Sequence, residues 1–326
     1  MNSSEVCHDI ADCPGLYVDG FRGKYLKLTQ NTNNCFILTH YHGDHYQSLP
    51  RDGKYSGPAL IHCTPVTAAL LIDVHKVPAV YVVEHEYGHT FQYYDSSDGG
   101  EGKMCKKKKD DNNRKVVANV TFYDANHCPG ACIVLIQLPN NGTTHLHTGD
   151  MRYNDRLFKS YPLLREAVVK KQCLDLVYLD TTYSHPRHDF LSQEEAVEAI
   201  SSHTESLFTN ASKSNTKMLV LLSCYSIGKE KVLWEVSTRN NNKMVYVSEK
   251  KMKMLKCVQR DKSQVSSQII QRCTLDPEKS DIHVIPMGLV GEMFPYFQPN
   301  FVKCKEYVEN LVLEYDKVVA FLPTGG

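Results

Sequence analysis

The sequence predicts an α/β protein with two domains, and three observations carry that expectation. The chain has 326 residues, about twice the length of a typical single domain. Its first half reads as short strands and turns, with apolar or β-branched runs at Cys35–Thr39, Val116–Tyr123 and Ala131–Leu138. Beyond about residue 190, strand-like and helix-like runs alternate, the pattern of a parallel sheet with covering helices.

Each element has a local reason. Ala131–Leu138 is nearly all apolar, as a strand buried on both faces requires. Pro139-Asn140-Asn141-Gly142 is a turn signal, and Thr143–Thr148 is the return strand of a hairpin. Leu174–Leu179 reads as another buried strand. Ser192-Gln193-Glu194-Glu195 fits a capping box and starts a helix through about Phe208. Strands follow at Met218–Leu222, Met244–Val247, Ile282–Ile285 and Lys317–Leu322. Between them helices are expected from about Gly228, from Ser248 and near Val302–Leu313. No internal repeat interrupts this order. One segment stands apart, Ser96–Lys115, which is dense in charge and poor in core-forming residues. It reads as an exposed insertion between strands, with a DNA-contacting arm or a nuclear import signal as sharper alternatives.

Composition narrows the class. Hydrophobic residues make up 42% and charged residues 23%, as in a soluble globular chain. Thirty-seven basic residues balance 37 acidic ones, so affinity for nucleic acid has to come from a local basic surface. The longest apolar runs are strand-sized, far short of the roughly 20 residues that cross a bilayer, and no membrane association is expected. The N-terminus lacks the basic and apolar regions of a secretory signal. The 12 cysteines include no Cys-x-x-Cys pair and read as reduced intracellular thiols.

The chemistry concentrates in His40-Tyr41-His42-Gly43-Asp44-His45. His40 and His42 are two apart at a strand end, so both imidazoles face one way and can reach one metal ion. Asp44 and His45 follow through a turn that Gly43 eases and can face a second ion. His127, in the loop Asp124-Ala125-Asn126-His127-Cys128-Pro129-Gly130, and Asp150, after His147-Thr148-Gly149, supply a further imidazole and a carboxylate. This donor set suits zinc, and a carboxylate shared by two ions would make a two-metal hydrolase site. His85-Glu86-Tyr87-Gly88-His89 matches the H-E-x-x-H pattern of zinc proteases. That chemistry needs a helix, whereas the neighbouring residues are β-branched and aromatic, so a protease is not expected.

The order HxHxDH, then His, then Asp is similar to the metallo-β-lactamase superfamily. Asp19 in Val18-Asp19-Gly20-Phe21 matches that superfamily's first aspartate, and Leu179-Asp180-Thr181-Thr182-Tyr183 looks like the acidic motif opening a β-CASP domain. With DANHCPGA, HTGDMRY, Tyr225–Val232 (YSIGKEKV) and Val318–Gly325 (VVAFLPTG), the chain resembles the DNA cross-link repair nucleases of the Artemis/Apollo group. The DTTY and YSIGKEKV spellings are nearest to its 1A type.

The resemblance implies a metallo-β-lactamase αββα sandwich over 1–180 and an inserted β-CASP α/β domain over 181–315, with 316–326 returning to the first domain. It implies a 5′-to-3′ exonuclease of interstrand cross-link repair, acting in the nucleus on DNA with a 5′-phosphate end, beside other DNA repair proteins. One or two zinc ions would activate the attacking water. His40, His42, His127 and Asp150 would hold the first ion; Asp44, His45 and Asp150 would hold the second. Asp19 would support the histidines, and Asp44 and Asp180 would act in catalysis. Ser226, Gly228 and Lys229 would receive a DNA phosphate through backbone N–H groups and the lysine at a helix start, and Arg152 and Tyr183 would contact the substrate. The family's lactamase fold continues beyond the point where this chain stops and supplies a further histidine there, so the sandwich and the second metal site are expected to be incomplete. An RNA-processing β-CASP nuclease and a catalytically impaired DNA-binding homologue are the alternative readings.

Overall fold

The computed structural model describes residues 8–31, 33–94, 115–170, 174–261, 265, 268–292 and 298–323. Of the charged stretch 96–115 only Lys115 is among them, so the expected loop lies outside the described residues. The chain divides into two compact units, Met1–Ser184 and His185–Gly326.

The first unit holds two sheets. One is parallel, in the order β1 (Leu16–Val18), β2 (Cys35–Ile37), β3 (Leu60–Cys63) and β4 (Val82–Glu84). The other follows the order β5 (Thr90–Tyr94), β6 (Val116–Asp124), β7 (Cys132–Leu138), β8 (Thr143–His147) and β9 (Leu176–Tyr178). It is antiparallel except for the parallel pairing of β8 with β9. The two sheets pack face to face because alternate residues of each are apolar. Leu16, Val18, Cys35 and Ile37 from one sheet share a buried cluster with Val120, Phe122, Val134 and Ile136 from the other. The outer faces are covered too. Phe36 stacks on Tyr17 and packs against Phe21 beside helix α1 (Lys24–Leu28). On the opposite face, Tyr123 of β6 meets Tyr161, 4.8 Å between ring centres, between helices α3 (Asp155–Ser160) and α4 (Pro162–Arg165). Helix α2 (Pro65–Ala69) follows β3 directly. This α/β arrangement of several sheets is consistent with a metallo-β-lactamase-like fold.

The second unit has a five-stranded parallel sheet in the order β12 (Cys273–Thr274), β11 (Val245–Tyr246), β13 (Ile282–Pro286), β10 (Met218–Cys224) and β16 (Lys317–Phe321), and a short antiparallel pair, β14 (Gly291–Glu292) with β15 (Gln298–Pro299). All seven residues of β10 are buried, and they serve two cores. Met218, Val220, Leu222 and Cys224 join a cluster with Leu233 and Val236 of α6 (Glu230–Arg239) and Leu255 of α7 (Glu249–Val258). Leu219 and Leu221 face Tyr307 and Val308 of the helix Phe301–Glu309. Helix α5 (Gln193–Lys213) starts with both bonds of the Ser192–Glu195 capping box. The last strand departs from expectation. β16 does not return to the first unit's sheets; it pairs with β10, in register from Met218↔Lys317 to Leu222↔Phe321. Asp316 fixes that register by accepting the Lys217 N–H at 2.7 Å.

The nine described cysteines are free thiols. No helix among the described residues is long and apolar enough to cross a membrane. His85–His89 forms a turn between β4 and β5 rather than a helix. His85 Nε2 lies 2.8 Å from His62 Nδ1 and its ring stacks on Phe91, so the protease arrangement is absent there.

Leu221→Ala should cost the second unit about 3 kcal/mol, because a fully buried leucine in a two-sided sheet leaves a cavity. Urea unfolding would measure it, and a loss below about 1 kcal/mol would mean that β10 is not packed on both faces.

Candidate metal centre

The site forms where the chain leaves strands β2, β6 and β8. His40 follows β2 and is fully buried. Its tautomer can be deduced. The Thr39 hydroxyl donates to Asp19 Oδ2 at 2.7 Å, so its oxygen is left to accept from His40 Nδ1 at 3.1 Å. The proton therefore sits on Nδ1, and the lone pair of Nε2 points into the site, the relay by which carboxylates orient metal-binding histidines.

Four donor atoms meet there. His40 Nε2 lies 3.0 Å from His42 Nδ1, and His127 Nε2 lies 3.2 Å from the same atom. Asp150 Oδ2 lies 3.6 Å from His127 Nε2 and 3.8 Å from His40 Nε2. All four residues have ligand atoms within 4.8 Å of one another. A tetrahedral ion with bonds of about 2.0–2.1 Å spaces its ligands about 3.3–3.4 Å apart, and the four distances bracket that value. Three imidazoles and a carboxylate, with the acceptor atoms turned inward, can hold one metal ion.

Beside this cluster His45 bridges two carboxylates. Its Nδ1 lies 2.8 Å from Asp19 Oδ2 and its Nε2 lies 3.1 Å from Asp150 Oδ1. Burial draws its pKa down, but Asp19 and Asp150 outweigh burial and raise it to about 11. Burial likewise opposes ionisation of Asp19 and Asp150, yet His45 keeps both pKa values below the ordinary carboxylate range. His40 is held well below the ordinary histidine range, first by burial and then by the neighbouring imidazoles. Of the trio expected at a second ion, Asp44 reaches within 3.7 Å of His45 Nε2 with a side chain 79% exposed.

The ligand loops are tied together. Gly130 bends back with φ +83°, and its carbonyl accepts from the Thr64 and Thr67 hydroxyls at the start of α2. Arg152, expected at the substrate, uses its backbone N–H to bind Ala125 O at 2.9 Å, joining the Asp150 loop to the His127 loop. Asp180 is joined through its backbone as well, donating to Thr148 Oγ1 at 3.0 Å. Its carboxylate accepts from Thr182 N–H and hydroxyl, and Tyr183 beside it is 46% exposed.

Ser226, Gly228 and Lys229 belong to the second unit, between β10 and α6. Gly228 was expected to offer its N–H to a phosphate, but that N–H is donated to Glu230 Oε1 at 3.1 Å. Glu230 is paired in turn with Lys251 at 3.1 Å, and the same ammonium binds the carbonyls of Tyr225 and Ser226. A buried ion pair thus braces this loop, and no motif announced Lys251. Thr39 also escaped the sequence reading, although its position just before His40 was a signal.

Asp19→Asn should destabilise the metal-free protein by about 3 kcal/mol, because it removes the more buried of the two counter-ions of His45. Asp19 has a lowered pKa, so its contribution is present above 3.8 and fades as pH falls through its folded pKa. His45 has a raised pKa, so its contribution is full below 6.5 and fades as pH rises toward about 11. Denaturation between the ordinary values of 3.8 and 6.5 should show the largest gap between variant and wild type. A gap that does not narrow toward acid pH would contradict the pairing.

No family model matches the chain. It is 33% identical over 299 residues to Arabidopsis thaliana DNA ligase 6, covering 91% of this chain and 18% of that protein. It is 31% identical over 293 residues to the human DNA cross-link repair 1A protein, covering 89% of this chain and 23% of that protein. Chicken 5′ exonuclease Apollo is 28% identical over 206 residues, covering 62% of this chain and 35% of that protein. The chain thus spans well under half the length of each of these three. Similarity to cross-link repair proteins along about nine-tenths of the chain, together with the histidine–aspartate cluster, supports its placement with the DNA cross-link repair nuclease family.

Proposed function

We propose that this chain is the catalytic region of a zinc-dependent 5′-to-3′ DNA exonuclease acting on 5′-phosphate ends in interstrand cross-link repair. The observation that carries the reading is the convergence of His40, His42, His127 and Asp150, whose ligand atoms lie within 4.8 Å of one another. The relative named a 5′ exonuclease supports the reaction class. Zinc bound there would polarise a phosphoryl oxygen and lower the pKa of a bound water.

The protein's own part is orientation. Asp19 holds Thr39 and His45 in fixed positions, and His45 holds the second oxygen of Asp150. Asp44, exposed beside them, is proposed to take part in catalysis through a second ion or a proton transfer. Asp180 is proposed to help orient the site, and Arg152 and Tyr183 to face substrate. The second unit is read as a β-CASP domain inserted in a lactamase sandwich. Ser226 and Lys229 would meet a DNA phosphate through the hydroxyl and the ammonium, since the Gly228 N–H is engaged. The reading implies work in the nucleus, with other DNA repair proteins as partners.

Zinc-loaded protein is expected to digest a 5′-phosphorylated DNA strand faster than its 5′-hydroxyl counterpart. Asp150→Asn should slow that digestion by about a hundredfold or more. Equal rates for variant and wild type would sink the reading, and equal cleavage of matched RNA would favour an RNA-processing nuclease.

A further inference from the structure

Two of the four candidate ligands hang from turns of the same design. Asp124 is the last residue of β6, and His147 is the last residue of β8. Each side chain accepts a hydrogen bond from the backbone N–H two residues on. Asn126 N–H donates to Asp124 Oδ1 at 2.8 Å, and Gly149 N–H donates to His147 Nδ1 at 3.1 Å. Both donor residues are left-handed, with φ of 54° and 52°. The residue after each is a ligand, His127 or Asp150.

We infer that Asp124 and His147 are matched positioning residues, whose side-chain acceptors close the turns that aim His127 and Asp150 at the metal position. The inference rests on reading the four-residue cluster as a metal site. In a continuing strand, residues three apart point to opposite faces. The acceptor bond and the left-handed third residue replace that course with a sharp reversal. Aspartate does this at many turns. Histidine can imitate it because Nδ1 is as many bonds from Cα as the aspartate Oδ1. It must then carry its proton on Nε2.

Other features of the two turns agree. The left-handed positions are filled by asparagine and glycine, the residues that tolerate them. Gly149 has a second reason, since a Cβ there would lie 3.1 Å from Thr39 Cβ. The His147 ring is held against Tyr178, 5.3 Å between centres, and the Tyr178 hydroxyl accepts the Ala11 N–H at 2.7 Å. Arg152 N–H binds Ala125 O and joins one turn to the other. The same i to i+2 bond occurs at Asp180, His185 and Asp276, but Thr182, Arg187 and Glu278 are not left-handed, and none of these turns leads to a ligand of the cluster.

The test compares zinc affinity, by competition with a chelating dye, for the full chain and its His147→Asn, His147→Leu, Asp124→Asn and Asp124→Leu variants. Asparagine keeps the acceptor, so its variants should bind within about threefold of wild type, whereas the leucine variants should lose about tenfold or more. Leucine and asparagine variants of equal affinity at both positions would overturn the inference. If the leucine variants do not fold, nitrogen-15 NMR of the wild type decides: an unprotonated His147 Nδ1 is expected, and a protonated one would overturn it. Wild-type protein that takes up no zinc would remove the metal reading and this inference with it. Zinc uptake by wild type with no difference among variants would remove the inference alone.

Discussion

Asp19 sits in a left-handed conformation just past the three-residue strand β1, and only 7% of it reaches solvent. A carboxylate in that position is costly unless its oxygens are bonded. One oxygen takes the Thr39 N–H; the other takes the Thr39 hydroxyl and His45. These bonds fix the exit of β2, and with it the tautomer of His40. His45 extends the order to Asp150, in the loop that leaves the other sheet. A single buried anion thereby couples both sheets of the first unit at one end, and the four donor atoms gather at that end.

The sandwich explains why the donors can be fixed so closely. β6 and β7 bury residues on both faces, which leaves their ends little freedom. Loops leaving such strands inherit a rigid origin, and a short turn is enough to direct a side chain. The Gly130 carbonyl, locked by two threonine hydroxyls, extends the same rigidity to the far side of the His127 loop. The second unit uses a different device. Its loop after β10 is braced from behind by Lys251 and Glu230, a buried pair whose desolvation is offset by several hydrogen bonds.

Much of this was legible in the sequence, for physical reasons that differ by element. The two-residue spacing of His40 and His42 at a strand end, the apolar run at β7 and the Ser192–Glu195 box are strong local signals, and each has its counterpart in the structure. β1, β3 and β4 were not read, because strands of three or four residues bounded by loops carry too little periodicity. The partner of β16 was hidden because pairing between segments almost 100 residues apart leaves no local mark. Gly228 looked like a phosphate-binding amide, since nothing nearby in sequence announces that Glu230 turns back to take its N–H. Asp124 and His147 were given no role from sequence, because that role depends on the backbone conformation two residues later.

His40, His42, His127 and Asp150 present the donors for one metal ion. X-ray absorption at the zinc edge of the zinc-loaded chain tests that donor set most directly. Only nitrogen and oxygen neighbours at about 2.0–2.1 Å, with the scattering pattern of three imidazoles, are expected around the zinc. A sulfur ligand at about 2.3 Å, for which Cys128 beside His127 is the nearest candidate in sequence, or a shell with fewer than three imidazoles, would contradict it.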